Sequence, residues 1–233
     1  MGKGFLSTSS IHLGLTTRCN LKCPFCSRTE VKKSKIEHWV CPSSDKNTDL
    51  NFTEYKKFFD KLNIDILLLC GNWGDPIFYP DLFNLIEYMN TKDCIIKIHT
   101  NGSGHNINWW KDLAKILKKK DRLYFSIDGI ESNFTKYRVN ASWSKIVDHI
   151  KAVESVDNRP KLIWKYILFK YNEDTVHDAM NEAKKLKMNA FLFVPGRIPE
   201  GKEHWKSQYS VFDYGIPIHK QWSEKSFYAK IIP

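Results

Sequence analysis

The chain has 233 residues, 42% of them hydrophobic and 14% aromatic, which excludes a disordered tail protein and allows one large or two small globular domains. Thirty-six Lys and Arg against 26 Asp and Glu leave a net charge of +10, which attracts anions such as nucleotides, phosphates or acidic peptides without choosing among them. No apolar run approaches the roughly 20 residues of a membrane span, and residues 1–10 lack the apolar segment of a signal peptide, so a cytoplasmic, reducing setting is expected.

Strand and helix patterns alternate along the chain. Residues 11–15 alternate apolar and polar and predict a first strand, followed by a loop carrying three cysteines. Thr53 reads as the cap of a helix with Tyr55, Phe58, Phe59 and Leu62 at helical spacing. Residues 64–70 predict a buried second strand, ended by Gly71-Asn72-Trp73-Gly74-Asp75-Pro76, and Asp81 heads the next helix. Residues 94–99 predict a third strand, ended by Thr100-Asn101-Gly102, with a helix through Trp110 and Leu113. Residues 122–127 predict a fourth, ended by Asp128-Gly129, with a helix from Ser142 to Val153. Residues 161–169 and 189–194 give the fifth and sixth strands, with a helix from about Glu173 to Leu186 between them. Such alternation specifies parallel pairing by right-handed crossovers, in an open doubly wound sheet or a barrel-like one, and six units are too few to close an eight-stranded barrel. In both folds a ligand sits at the carboxyl ends of the strands, where the glycine-rich and polar loops of this chain fall. Residues 1–197 are expected to form this unit, and residues 198–233, rich in aromatics without a period, a C-terminal extension packed on it or on a partner.

Cysteines stand at 19, 23, 26, 41, 70 and 94, three of them crowded into one loop, a distribution suited to a metal site rather than to disulfides. Three thiolates from a short loop can hold three irons of a [4Fe-4S] cluster and leave the fourth iron open. The alternative by spacing is a closed zinc site with Cys41 as fourth ligand.

The run Cys19, Cys23, Phe25 and Cys26, a C-x3-C-x-aromatic-C pattern, is followed in order by Trp73-Gly74-Asp75-Pro76, Thr100-Asn101-Gly102 and Ser126-Ile127-Asp128-Gly129. Over roughly residues 10–197 this series resembles the radical S-adenosylmethionine (radical SAM) superfamily. The resemblance implies an α/β fold, a partial (β/α)6 TIM-like barrel of parallel strands, with a [4Fe-4S] cluster on Cys19, Cys23 and Cys26 and S-adenosylmethionine (SAM) as cofactors. The family's Gly-Gly-Glu-Pro motif appears here with Asp75 in place of Glu; its implied role is to hold the methionine amino group through backbone carbonyls and the acid. Thr100, Asn101, Ser126 and Asp128 stand where members contact the SAM carboxylate or ribose, and Val194 where the adenine would lie. Lys165 and Arg197, with Arg28, are placed to meet a substrate carboxylate or phosphate, or the SAM carboxylate.

The implied activity is reductive cleavage of SAM to a 5′-deoxyadenosyl radical that abstracts hydrogen from a peptide or small metabolite. The alternatives are the same chemistry on an anionic nucleotide, and a non-catalytic iron-sulfur or zinc module that binds a partner. A flavodoxin- or ferredoxin-type reductant is the implied electron source; membrane and nucleic-acid partners are not expected. The opening TxxCNLKCPFC and the GNxGDP loop are most similar to the peptide-modifying SPASM/Twitch-type branch, yet no cysteine follows Cys94 to hold that branch's auxiliary clusters. Residues 215–222 look like the approach to that domain. The expectation is a minimal single-cluster enzyme, or a shortened relative completed by a second polypeptide. Outside these motifs, His99 is expected to be a hydrogen-bonded structural residue, Cys70 and Cys94 small core residues, and Lys118-Lys119-Lys120 a complement to a helix dipole.

Overall fold

Among the described residues eight strands pair in the order β1-β2-β3-β4-β5-β6-β8-β7. The computed structural model describes residues 6–29, 48–71, 73–215, 219–220 and 227–230. The strands are β1 (Leu6–Leu13), β2 (Leu62–Cys70), β3 (Ile95–Thr100), β4 (Arg122–Ser126), β5 (Lys161–Leu168), β6 (Ala190–Pro195), β7 (His219–Lys220) and β8 (Phe227–Lys230). Among the helices between them are α1 (Phe52–Phe59), α2 (Leu82–Asn90), α3 (Ile107–Ile116), α4 (Trp143–Glu154) and α5 (Val176–Lys185). Strands β1 to β6 pair in parallel, each with its successor in the chain. This order never reverses, so crossovers of one hand put the helices on one face and leave the other face free, which decides for a curved, barrel-like sheet over a doubly wound one.

The two faces are chemically distinct. Leu67, Leu69, Ile96, Ile98, Leu123, Phe125, Trp164 and Phe191 lie in the main core with helix residues such as Leu85, Trp110, Ile150 and Ala179. Each fully buried aliphatic of this kind contributes roughly 1.5–3 kcal/mol. The alternate residues Tyr124, Ile163 and Leu192 form a separate small cluster with Ala190 and Val194 on the inner face.

Several details depart from the sequence-based expectations. Asn51, not Thr53, caps α1, its side chain accepting from the N–H groups of Thr53 and Glu54. The helix expected from Glu173 starts as a 3-10 turn over Lys170–Thr175, because the buried Asn172 amide bonds to Phe169, Ile167 and Asp128 instead of continuing a helix. Lys118 donates to the carbonyl of Asn90 at the end of α2, a helix other than its own. In the C-terminal stretch, β8 pairs antiparallel with β6 and occupies the edge where a closed barrel would continue. Cys41 lies outside the described residues. Among the described residues no helix is long and apolar enough to cross a membrane.

Candidate active site

At the carboxyl ends of the parallel strands opens a cavity of about 490 Å³. The loop after β1 contributes Cys19, Cys23, Phe25, Cys26 and Arg28, β2 and its loop Cys70, Gly74 and Asp75, and β3 His99, Thr100 and Asn101. Ser126, Lys165, Val194 and Arg197 complete the ring from β4, β5 and β6. Three residues expected at the site are absent from its lining. Pro76 is buried as the first residue of a 3-10 turn, Asp128 is fully buried behind the strand ends, and Trp73 lies outside the cavity wall.

The cysteine loop is held from both sides. Arg18 forks onto the Asp49 carboxylate at 2.9–3.1 Å, and Arg28 Nε donates to the Thr17 carbonyl at 2.9 Å. N–H groups approach the sulfurs: Leu21 N and Asn101 Nδ2 lie 3.5 Å from Cys19 Sγ, and Arg138 Nη1 3.6 Å from Cys23 Sγ. Burial, with Asp75 nearby, pushes the Cys19 thiol up to about 12, and burial raises Cys23 as well. Such thiols ionise only when a metal takes the place of the proton. Among the described residues no three His, Cys, Asp or Glu groups gather closely enough to hold a single ion. Three thiols at one cavity mouth can each supply a thiolate to its own iron of a cluster.

The loop after β2 docks through its backbone on the chain that leads into the cysteine loop. Asp75 N donates to Arg18 O at 2.8 Å. A Cβ at Gly74 would stand 2.3 Å from Thr16 O and 2.7 Å from Arg18 O, so only glycine permits this approach. Gly74→Ala is therefore expected to cost roughly 1–3 kcal/mol by overpacking and to lower Tm by several degrees; an unchanged Tm and unchanged SAM affinity would show that the close approach has no consequence. The Asp75 carboxylate is committed within the protein. Oδ2 accepts from Thr100 Oγ1 and Asn101 N at 3.1 and 2.6 Å, and Oδ1 from Ile77 N at 3.2 Å. Burial pushes its carboxyl up to about 6 against these bonds. Its visible work is to tie the end of β2 to the end of β3.

Sequence reasoning missed Arg138. Its Nε touches Asp128 Oδ2 at 2.7 Å in a buried ion pair, although the N–H is not aimed along a hydrogen bond. Burial opposes the Arg138 charge, and Asp128 and Cys23 overcome it, holding the guanidinium well above its usual value. Asp128 Oδ1 also accepts from Ile167 N at 2.7 Å. Arg138 lies between α4 and a short 3-10 turn, in a stretch without periodicity, and only its place after the fourth strand end hinted at a role.

Phe25 of the cysteine loop packs edge-on against Trp205 at 5.0 Å and against Tyr137 and Phe169 at 6.1 and 6.3 Å. Trp205 is held there because buried Glu173 accepts from Ser207 Oγ at 2.7 Å and Gln208 N at 3.1 Å. Trp205→Ala is expected to speed iron loss to a chelator severalfold under anaerobic conditions, since an aromatic face over the loop excludes water; a wild-type rate would remove that role.

A family model described as the Radical SAM superfamily matches residues 13–183. The GTP 3′,8-cyclase of Clostridium botulinum is 26% identical over 218 residues, covering 90% of this chain and 63% of that protein. A Pyrococcus furiosus tungsten-containing aldehyde ferredoxin oxidoreductase cofactor-modifying protein is 26% identical over 121 residues, 51% of this chain and 30% of that protein. Among solved structures, Streptococcus suis SuiB bound to S-adenosylmethionine superposes with a TM-score of 0.64 at 16% identity, over 88% of this chain and 44% of that one, a likeness of fold. The chain thus spans less than two thirds of the length of each of these relatives.

Proposed function

Because the chain belongs to the radical SAM superfamily, enzymes that use a [4Fe-4S] cluster and SAM, we propose that it cleaves SAM reductively in this cavity and takes hydrogen from a peptide or small-metabolite substrate. The observation that carries the reading is the meeting of three thiols from one short loop with the ends of six parallel strands around a single cavity. When bound, the reduced cluster and SAM supply a 5′-deoxyadenosyl radical that removes the substrate hydrogen and leaves methionine.

The chain's own residues bind, orient and exclude water. Cys19, Cys23 and Cys26 hold three irons, and Arg138 sets a fixed positive charge beside Cys23, offsetting the charge of the thiolates. The backbone around Gly74 receives the methionine amino group, with Asp75 supporting that loop from within. Thr100, Asn101 and Ser126 offer polar groups to the carboxylate and ribose, and Val194 an apolar wall to the adenine. Phe25 closes the loop side against water. Pro76 and Asp128, both buried, act from behind as supports. Arg197, exposed at the mouth, faces arriving substrate. A basic chain favours an acidic flavodoxin- or ferredoxin-type electron donor in a reducing cytoplasm. A nucleotide substrate is the second reading, favoured by the similarity to a GTP 3′,8-cyclase over 90% of the chain.

The test is anaerobic reconstitution, reduction with dithionite and analysis of SAM products. Equal amounts of 5′-deoxyadenosine and methionine are expected; intact SAM beside a fully assembled, reduced cluster would sink the proposal.

A further inference from the structure

Asn101, just past the end of β3, is buried, and its neighbours fix which way its side-chain amide is turned. Oδ1 accepts from Ser103 N at 2.8 Å and from Ser103 Oγ at 2.6 Å. A main-chain N–H can only donate, so the amide oxygen faces Ser103 and the amide nitrogen faces away from it. Nδ2 then donates to Asn20 Oδ1 at 3.2 Å and to Cys19 Sγ at 3.5 Å. A side-chain amide has two hydrogens to give and two lone pairs to offer. All four are used within the protein, which leaves only the main chain of Asn101 for SAM.

These bonds bring the end of β3 onto the cysteine loop. Asn20, next to Cys19 in the chain, donates in return from Nδ2 to Ser103 Oγ at 3.0 Å and to Ser103 O at 3.3 Å. Asn101 also serves two anionic groups at once, its main-chain N–H donating to Asp75 Oδ2 at 2.6 Å and its side chain to the sulfur of Cys19. Burial, then the charge of Asp75, oppose ionisation of that thiol, and Leu21 N, at 3.5 Å, is the main-chain donor that favours it. N–H groups aimed at cluster thiolates draw negative charge off the sulfur and so favour the reduced, more negative state of the cluster.

We propose that Asn101 is a positioning residue for the cluster, its amide N–H holding the Cys19 thiolate in place and raising the reduction potential of the iron-sulfur group bound there. The inference rests on the radical SAM reading, since a cluster on Cys19, Cys23 and Cys26 is its premise. It takes the Asn101 side chain from the SAM carboxylate and ribose, where the family resemblance placed it, to the metal centre. The segment Thr100-Asn101-Gly102 then serves the electron-accepting step as well as the cofactor pocket.

Protein reconstituted with iron and sulfide is poised with dithionite at a series of potentials in the absence of SAM, and the reduced cluster is read by electron paramagnetic resonance. Asn101→Leu, similar in size but without an N–H, is expected to lower the ratio of reduced to oxidised cluster at the wild-type midpoint about tenfold, or about 59 mV for one electron. Ser103→Ala keeps the main-chain N–H that turns the amide and is expected to hold the wild-type midpoint. A midpoint unmoved in Asn101→Leu, or moved equally in Ser103→Ala, overturns the inference. Should Asn101→Leu fail to hold a cluster, wild-type protein carrying nitrogen-15 in its asparagine side-chain amides decides: the reduced cluster is expected to show hyperfine coupling to that nitrogen, retained in Asn20→Ala. Absence of the coupling, or its loss in Asn20→Ala, overturns the inference. SAM added to the reduced wild-type protein separates the two levels. Cleaved SAM with an unmoved midpoint in Asn101→Leu removes only the Asn101 bond, intact SAM with the expected shift removes only the radical SAM reading, and wild-type protein that assembles no cluster removes both.

Discussion

Cys23→Ala is expected to reduce bound iron from about four atoms per chain to less than one and to abolish 5′-deoxyadenosine formation, because a cubane with one open iron needs all three remaining irons tied to thiolates. The loss should not be one of folding. Cys23 belongs to a small cluster with Leu21, Tyr137 and Phe169, separate from the main core, and truncation to Ala leaves that core intact. Cys94→Ala is the matched control. That thiol is buried in the main core, its sulfur 3.8 Å from the Met89 carbonyl, and it does not line the cavity. The control is expected to keep full iron and full SAM cleavage while losing a little stability to the small cavity. Equal iron in the two variants would remove the cysteine loop from the account.

Arg138→Met is expected to lower stability by about 3–5 kcal/mol at neutral pH, the cost of leaving a buried charge without its partner. Asp128 is fully buried, and burial pushes its carboxyl up while Arg138 opposes the shift. Without the guanidinium the carboxyl rises further above its unfolded value. A carboxyl raised in the folded state binds more protons there than in the unfolded chain, so the variant's deficit shrinks as pH falls from 7 toward the unfolded value near 4. Thermal melts at pH 7 and pH 5.5 read this directly: the difference from wild type should be smaller at the lower pH. Asp128→Asn added to Arg138→Met should recover part of the loss, since it removes the stranded charge. A single variant that melts with wild type at both pH values would show that the pair contributes no net stability.

What was legible in the sequence follows from how local each signal is. The parallel strands were readable because apolar runs such as Ile64 to Cys70 end in glycine-rich or polar turns, and the cysteine spacing is local by nature. The cap of α1 fell two residues from its expected place because Asn51 and Thr53 are both cap formers and only the folded turn chooses. The edge pairing of β8 with β6 carries no pattern of its own; it depends on an exposed strand edge far away in sequence. The task of Asp75 was obscured for a similar reason. Its hydrogen bonds run to Thr100 and Asn101, some 25 residues on, where no spacing rule reaches. Arg138 and Trp205 were missed because a buried cation and an aromatic cover are defined by partners in space. The strand-end position of His99 predicts a hydrogen-bonded, structural residue; its Nδ1 instead has no bond among the described residues.

The most direct measurement is electron–nuclear double resonance on the reduced enzyme loaded with SAM carrying nitrogen-15 at the amino group and carbon-13 at the carboxyl. A cluster held by Cys19, Cys23 and Cys26 alone has an iron free to take those two groups, and hyperfine coupling to both labels is the expected result. A reduced [4Fe-4S] signal with SAM bound and coupling to neither label would contradict the open iron on which the proposed chemistry depends.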